Sequence, residues 1–354
     1  MGMGMSIDLW FQLLLKNRYK IKSSNFPVVF STTFFTFLNS LASILEKIFY
    51  HKSVEETEII APPIFIIGYW RTGTTHLQNL LSQDGRFTFP TTYTCVFPGH
   101  FLFSERLLKK LLERAIPRTR PMDDMRLSLD SPQEDEIALA FLSGFSPYLD
   151  FAFPNAIPKY RRFLDFKDAT IKEQQIFKKT MTNFVKKHTY RCRKQVILKS
   201  PAHSYRIRLL IQAFLGAKFI HIHRNPVDVF ISAVRTFAIQ KNTFGLTKPD
   251  NSTLEQQVTE DMLLCYKRIQ EDKRLLAPNQ FLEIRFENLE QHPLIELEKV
   301  YRILNLGDFE LVKPRFEDYL NSISDYRKNV YDISEDKREE LNKIFHDIIK
   351  KYEY

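Results

Sequence analysis

Gly68 and Gly73 bracket Tyr69, Trp70, Arg71 and Thr72, and Thr74 and Thr75 follow at once. Glycines at that spacing let backbone N–H groups come close to an anion. The threonine hydroxyls add donors and Arg71 adds a fixed positive charge, so the chemistry on offer is that of holding a phosphate. A second set is His223-Arg224-Asn225-Pro226-Val227-Asp228 with Ser232. Asn225 is a good helix N-cap, Pro226 suits the first helical position and Asp228 the first turn, so Arg224 is expected beside a helix start with Ser232 further along that helix. A third set is Leu198-Lys199-Ser200-Pro201-Ala202-His203, in which Lys199 can neutralise charge on a group in transfer. Group transfer to a hydroxyl or amine also needs a proton acceptor. Glu134, Asp135 and His100 are the candidates, while His203 reads as a residue that orients its turn. His221 and His223 share one strand face without a third ligand, so no metal site is expected.

Each set demands an element beneath it. Ile64 to Ile67 is a short apolar run that reads as a buried strand, and a helix is expected from Thr74 to about Ser82, stopped by Asp84-Gly85. Further strands are expected at Phe87 to Pro90, Val196 to Lys199, Lys218 to His223 and Phe281 to Arg285, with amphipathic helices at about 205–215 and 254–276 between the later ones. Strands alternating with helices predict a parallel sheet covered on both faces, whose strand C-terminal edge is where ligands bind. Arg224 and Lys199 both fall on that edge. Ser131-Pro132-Gln133-Glu134 matches a capping box, which would commit the Glu134 side chain to starting a helix. Residues 100–120 read as a basic amphipathic helix. The stretch from Gly144 to Pro158 is rich in aromatics and proline and suits the wall of a pocket for an apolar or amphipathic acceptor. The charged tail after Ser334 reads as an exposed helix.

The 354 residues, 44% of them hydrophobic, suffice for a large core in one domain or two closely joined ones, and the net charge of +9 favours anionic partners. Lys and Arg are spread along the chain with no basic run interleaved with aromatics, which argues against nucleic acid. Cys95, Cys192 and Cys265 suit neither a zinc site nor a disulfide framework, so the expected location is cytoplasmic. No cleavable signal peptide is evident. Residues 26–49 are strongly apolar but carry Ser31, Thr32, Thr33, Thr36, Asn39, Ser40 and Ser43. That dilution argues against a transmembrane span and leaves a helix packed on the domain or one lying in a membrane interface.

The three chemical segments, in this order, resemble the PAPS-dependent sulfotransferase superfamily, where PAPS is 3′-phosphoadenosine-5′-phosphosulfate. The likeness is strongest from Ile64 to Phe237. It implies an α/β fold, a central parallel sheet flanked by helices of the P-loop nucleotide hydrolase-like sulfotransferase type, with a helical N-terminal extension over 1–60 and the sulfotransferase domain over 61–354. It also implies in-line, metal-independent transfer of a sulfuryl group from PAPS to a small-molecule, lipid or carbohydrate acceptor. By the resemblance, Arg71, Thr72, Gly73, Thr74 and Thr75 hold the 5′-phosphosulfate, Arg224 and Ser232 the 3′-phosphate, and Arg327 and Lys328 a basic loop closing over the donor. Lys199 is the strand-end lysine, and Glu134 or His100 the base. Thr74 stands where a nucleoside triphosphatase carries lysine, and His221-Ile222-His223 stands where such an enzyme carries its magnesium-binding aspartate. A sulfuryl group carries less charge than a γ-phosphate, so neither is required. A P-loop kinase or a non-catalytic nucleotide-binding protein on the same scaffold are the alternatives.

Overall fold

The structure is a computed structural model and describes residues 4–113, 128–154, 160–324 and 333–354. The chain opens with α1 (Ile7–Lys16) and α2 (Phe26–Glu55), then β1 (Ile64–Ile67), α3 (Thr74–Leu81), β2 (Phe87–Thr88), α4 (Thr92–Val96) and α5 (Phe101–Leu112). Next come α6 (Asp135–Ser143), α7 (Leu149–Ala152), α8 (Ile171–Arg191), β3 (Gln195–Lys199), α9 (Ile207–Ala213), β4 (Lys218–His223) and α10 (Pro226–Phe244). It finishes with α11 (Leu254–Asp272), β5 (Phe281–Arg285), α12 (Phe286–Gln291), α13 (Pro293–Ile303), α14 (Lys313–Ser322), α15 (Glu335–Ile344) and α16 (His346–Tyr352).

The described strands form one parallel sheet in the order β2-β3-β1-β4-β5. All four residues of β1 are fully buried, because helices cover both faces. Phe65 and Ile67 join the larger core with Leu198 and Phe219, while Ile64 and Ile66 join the other with Ile197 and Ile220. This is why the strand is a continuous apolar run rather than an alternating one. The register sets Ile66 beside Lys199 on one flank and Ile220 on the other, so the loops after β1, β3 and β4 share one edge. The expected α/β architecture with a helical N-terminal region is what the chain adopts.

One local expectation is corrected and one refined. The capping box at Ser131 does not form. Pro132 bridges Thr91 and the Gln133 N–H bonds to the Pro90 carbonyl, which keeps this stretch extended until α6 begins at Asp135. Glu134 is then the N-cap residue, but its side chain makes no cap bond. The tail is helical and largely exposed as expected, but one face of it is docked. Leu341, Phe345 and Ile348 enter the main core, and the Tyr354 hydroxyl sits 2.8 Å from His223 Nδ1. The apolar i, i+4, i+7 stripe beneath the charges was the missed signal.

Candidate active site

The loop after β1 is fastened from below. The Gly68 N–H donates to Ser204 Oγ at 2.8 Å, and that hydroxyl donates back to the Gly68 carbonyl at 3.1 Å. Thr72 is wholly buried and donates from Oγ1 to the Tyr69 carbonyl at 2.7 Å, so its side chain shapes the loop and only its backbone can face a ligand. Arg71 and Gly73 both have positive φ, 72° and 99°. At Gly73 a Cβ would come 2.3 Å from the Phe286 ring, so glycine alone fits. Gly73 is the N-cap of α3 and has no side chain to cap it, so the first turn presents its amides, with Thr74 and Thr75, to the strand edge.

Lys199, at the end of β3, reaches across to this loop. Its Nζ donates to Thr75 Oγ1 at 3.3 Å and to Glu134 Oε1 at 2.8 Å. The Tyr148 hydroxyl donates to the other carboxylate oxygen of Glu134 and accepts from Trp70 Nε1 at 3.2 Å. Burial and the Glu134 charge hold the Tyr148 phenol well above its usual range, so it stays a donor. Of the three consecutive acids, only Glu134 serves this site. Asp135 is buried against His203 Nε2 at 2.6 Å, and Glu136 is buried on Arg206. The His203 bond fits its expected role of orienting the turn after β3.

On the other flank of β1, Arg71 Nε donates to Ser232 Oγ at 3.0 Å. The Arg224 guanidinium lies over the Phe286 ring, 4.7 Å from its centroid. Asn225 caps α10 as expected, accepting from the Val227 N–H at 3.0 Å. The Arg71–Ser232 bond, and Phe286 lying under Arg224 and against Gly73, thus join the Gly68–Thr75 loop to the segment after β4. Trp70, Tyr148, Phe151 and Phe237 form an aromatic wall beside Glu134.

His100 is not brought to this site. Its Nδ1 is 2.8 Å from Ser104 Oγ and its Nε2 2.9 Å from Asn39 Oδ1, within the contact between α5 and α2, and burial pushes its pKa down to about 4. Both ring nitrogens are occupied, which removes it as a base. Arg327 and Lys328 lie outside the described residues. His221 pairs with Glu283 and His223 with Tyr354, and no group of three His, Cys, Asp or Glu among the described residues could hold a metal. Sequence reasoning missed Phe286 and Ser204. Neither carries a local motif, and each matters only through the fold.

A parallel sheet with a glycine-bracketed loop at the end of β1, Arg224 and Ser232 after β4 on one flank and the Lys199–Glu134 pair at the end of β3 on the other is an arrangement suited to group transfer from an anionic donor. The chain belongs to the sulfotransferase family, whose model matches residues 62–310, and it is a PAPS-dependent sulfotransferase. It is 38% identical over 351 residues, 99% of this chain and 90% of the relative, to omega-hydroxy-beta-dihydromenaquinone-9 sulfotransferase Stf3 of Mycobacterium bovis. The Mycobacterium tuberculosis Stf3 matches with the same figures. Among solved structures it is similar to sulfotransferase STF9 from Mycobacterium avium, with a TM-score of 0.68 at 17% identity, covering 98% of this chain and 96% of that one. It is also similar to STF1 from Mycobacterium tuberculosis, with a TM-score of 0.60 at 14% identity, covering 90% and 88%. These two likenesses speak for the fold.

Proposed function

We propose that the enzyme sulfates a hydroxyl on an apolar, lipid-like acceptor, with Glu134 as general base. The observation that carries this is the Lys199 ammonium, bonded at once to Thr75 of the phosphate-binding loop and to Glu134. Arg71, the loop backbone from Thr72 to Thr75 and the Thr74 and Thr75 hydroxyls hold the phosphosulfate end of PAPS. Arg224 and Ser232 hold its 3′-phosphate, with Arg327 and Lys328 proposed as the basic loop over it. Glu134 takes the acceptor proton as the acceptor oxygen bonds to sulfur and the bond from sulfur to the bridging phosphate oxygen breaks. Lys199, released as Glu134 is neutralised, stabilises the charge that gathers on the departing oxygen. No metal is needed for these steps.

The aromatic wall of Trp70, Tyr148, Phe151 and Phe237 beside Glu134 supports an apolar acceptor, as does the Stf3 name, which specifies a hydroxylated dihydromenaquinone. In this reading residues 1–60 form a helical extension on the 61–354 domain, 26–49 contact a membrane, and the enzyme works on its cytoplasmic side. The test is incubation with ³⁵S-labelled PAPS and fractionated cell extract. Label is expected in the lipid fraction, and a label found only in water-soluble carbohydrate or peptide would refute the acceptor class.

A further inference from the structure

Helix α2 is built inside out. Thr32, Thr36, Asn39 and Glu46 are buried against the domain, whereas Phe30, Phe34, Phe37, Leu41, Ile44 and Ile48 are between 46% and 79% exposed. Those six recur at alternating four- and three-residue steps, a single apolar stripe, and an ordinary surface helix turns such a stripe inward. The orientation is fixed by polar contacts. Asn39 bonds His100 at 2.9 Å, and the Leu102 N–H donates to Glu46 at 2.7 Å. Glu46 also pairs with buried Lys187, and Trp10 Nε1 donates to Thr33 Oγ1 at 2.9 Å.

The apolar face continues onto α5. Phe49 stacks on Phe103 with centroids 6.3 Å apart, and Leu107 and Leu111, on the same side of α5, are each 68% exposed. Basic residues border it: Arg18, Lys20 and Lys22 are exposed just ahead of α2, and Arg106 and Lys110 on α5. The geometry points to a docking surface for an anionic lipid bilayer. On it α2 lies in the plane of the membrane with its Phe, Leu and Ile stripe in the acyl boundary and the 18–22 segment on the phosphates. This rests on the membrane-peripheral reading above and gives it a face, an orientation and a lipid charge.

The helix is long and apolar enough to cross a membrane. Crossing, however, would carry Glu46 and Asn39 into hydrocarbon and strand buried Lys187 without its carboxylate. The stripe spacing alone would also suit a helix seam against a second copy. Yet Phe35, Leu38, Leu45 and Phe49, flanking the stripe, are exposed apolars where a two-helix seam carries charges. His100 and Lys187 accordingly serve as fasteners that hold this face outward.

The test is sedimentation of the full chain with vesicles of phosphatidylcholine alone, or of equal parts phosphatidylcholine and phosphatidylglycerol. Binding is expected to the mixed vesicles and to weaken with salt. The triple variant Phe30→Ser, Phe34→Ser, Ile48→Ser should bind at least about tenfold more weakly, with its adenosine 3′,5′-bisphosphate melting shift intact. A second variant off the helix, Arg18→Gln, Lys20→Gln, Lys22→Gln, should lose the preference for the mixed vesicles. Three results overturn the proposal: undiminished binding of the triple variant, resistance of bound protein to alkaline carbonate, or a dimer that the triple variant dissociates with no vesicle binding by either chain. The two readings fail separately. A missing nucleotide shift in the unaltered chain sinks the donor site, and missing vesicle binding sinks the docking surface.

Discussion

Arg71 Nε lies 3.0 Å from Ser232 Oγ, so the loop after β1 is tied to α10 by its own arginine. The Gly68–Thr75 loop and α10, far apart in sequence, are therefore set against each other by a bond between two side chains proposed to meet the donor. Arg71 holds positive φ while doing so. A non-glycine residue there is strained, and strain of this kind gathers where a ligand must be met in a fixed geometry.

Removing Arg224 or Ser232, proposed to hold the 3′-phosphate, should cost recognition of that group selectively. Arg224→Ala deletes a charge-assisted contact, expected to weaken adenosine 3′,5′-bisphosphate binding by roughly 10- to 100-fold. Ser232→Ala should weaken it less, because the positive charge remains. Adenosine 5′-phosphate should bind nearly unchanged to Arg224→Ala. Calorimetric titration of both nucleotides decides the matter, and an equal loss for the two would dismiss the assignment.

Glu134 and Lys199 are coupled but should fail differently. Glu134→Gln keeps shape and removes the base, so turnover should fall by roughly 10²- to 10⁴-fold. Its nucleotide affinity should hold or tighten, because Lys199 loses the Glu134 carboxylate 2.8 Å away and turns to the anion. Lys199→Ala should also abolish turnover, with no such tightening. A Glu134→Gln enzyme with full kcat would assign the proton to another group.

The strands were legible because both faces of the sheet are covered, which leaves β1 with four apolar residues in a row and little else it could be. Strand ends followed by Gly, Pro or Asn turns located Lys199, Arg224 and the loop at Gly68. Glu134 was obscured by a genuine local match, since Ser131-Pro132-Gln133-Glu134 satisfies a capping box that the bridge between Pro132 and Thr91 overrides. Phe286 and Ser204 support Gly73, Arg224 and Gly68 from distant segments, and no spacing rule connects them. For α2 the apolar period was readable, but a period is the same whether its stripe faces in or out. Only the burial of Thr32, Thr36, Asn39 and Glu46 separates the two.

Gly73→Ala tests the loop without touching a functional group. The added Cβ meets the Phe286 ring and must hold a φ of 99°. Strain of this kind costs about 1–3 kcal/mol, and displacing Phe286 also disturbs Arg224. The variant should melt lower and lose most of its nucleotide-induced shift. Gly85→Ala is the control, because there a Cβ meets only the end of the Arg315 side chain. If both variants behave alike in thermal melts, the loop argument fails.

His188 offers a stability test that is independent of catalysis. It is fully buried between Phe101 and Phe184, and neither ring nitrogen has a hydrogen-bond partner among the described residues. Burial, helped by the charges of Arg191 and Lys187, pushes its pKa down to about 3. A folded-state pKa below the ordinary value means that the unfolded chain binds the extra proton. His188 therefore takes stability away as pH falls from about 6.5 toward 3. The variant His188→Phe lacks this penalty. Its stability relative to the unaltered chain should be about 2 kcal/mol more favourable at pH 5 than at pH 8. His100 and His223, whose pKa values are also lowered by burial, and Asp150 and Asp261, whose values are raised by it, are common to both chains and cancel in the comparison. Any packing cost of the larger ring is likewise the same at both pH values. Urea unfolding of the two proteins at pH 5 and pH 8 measures the difference, and a gap that does not change with pH would show that His188 takes up its proton in the folded protein as readily as in water.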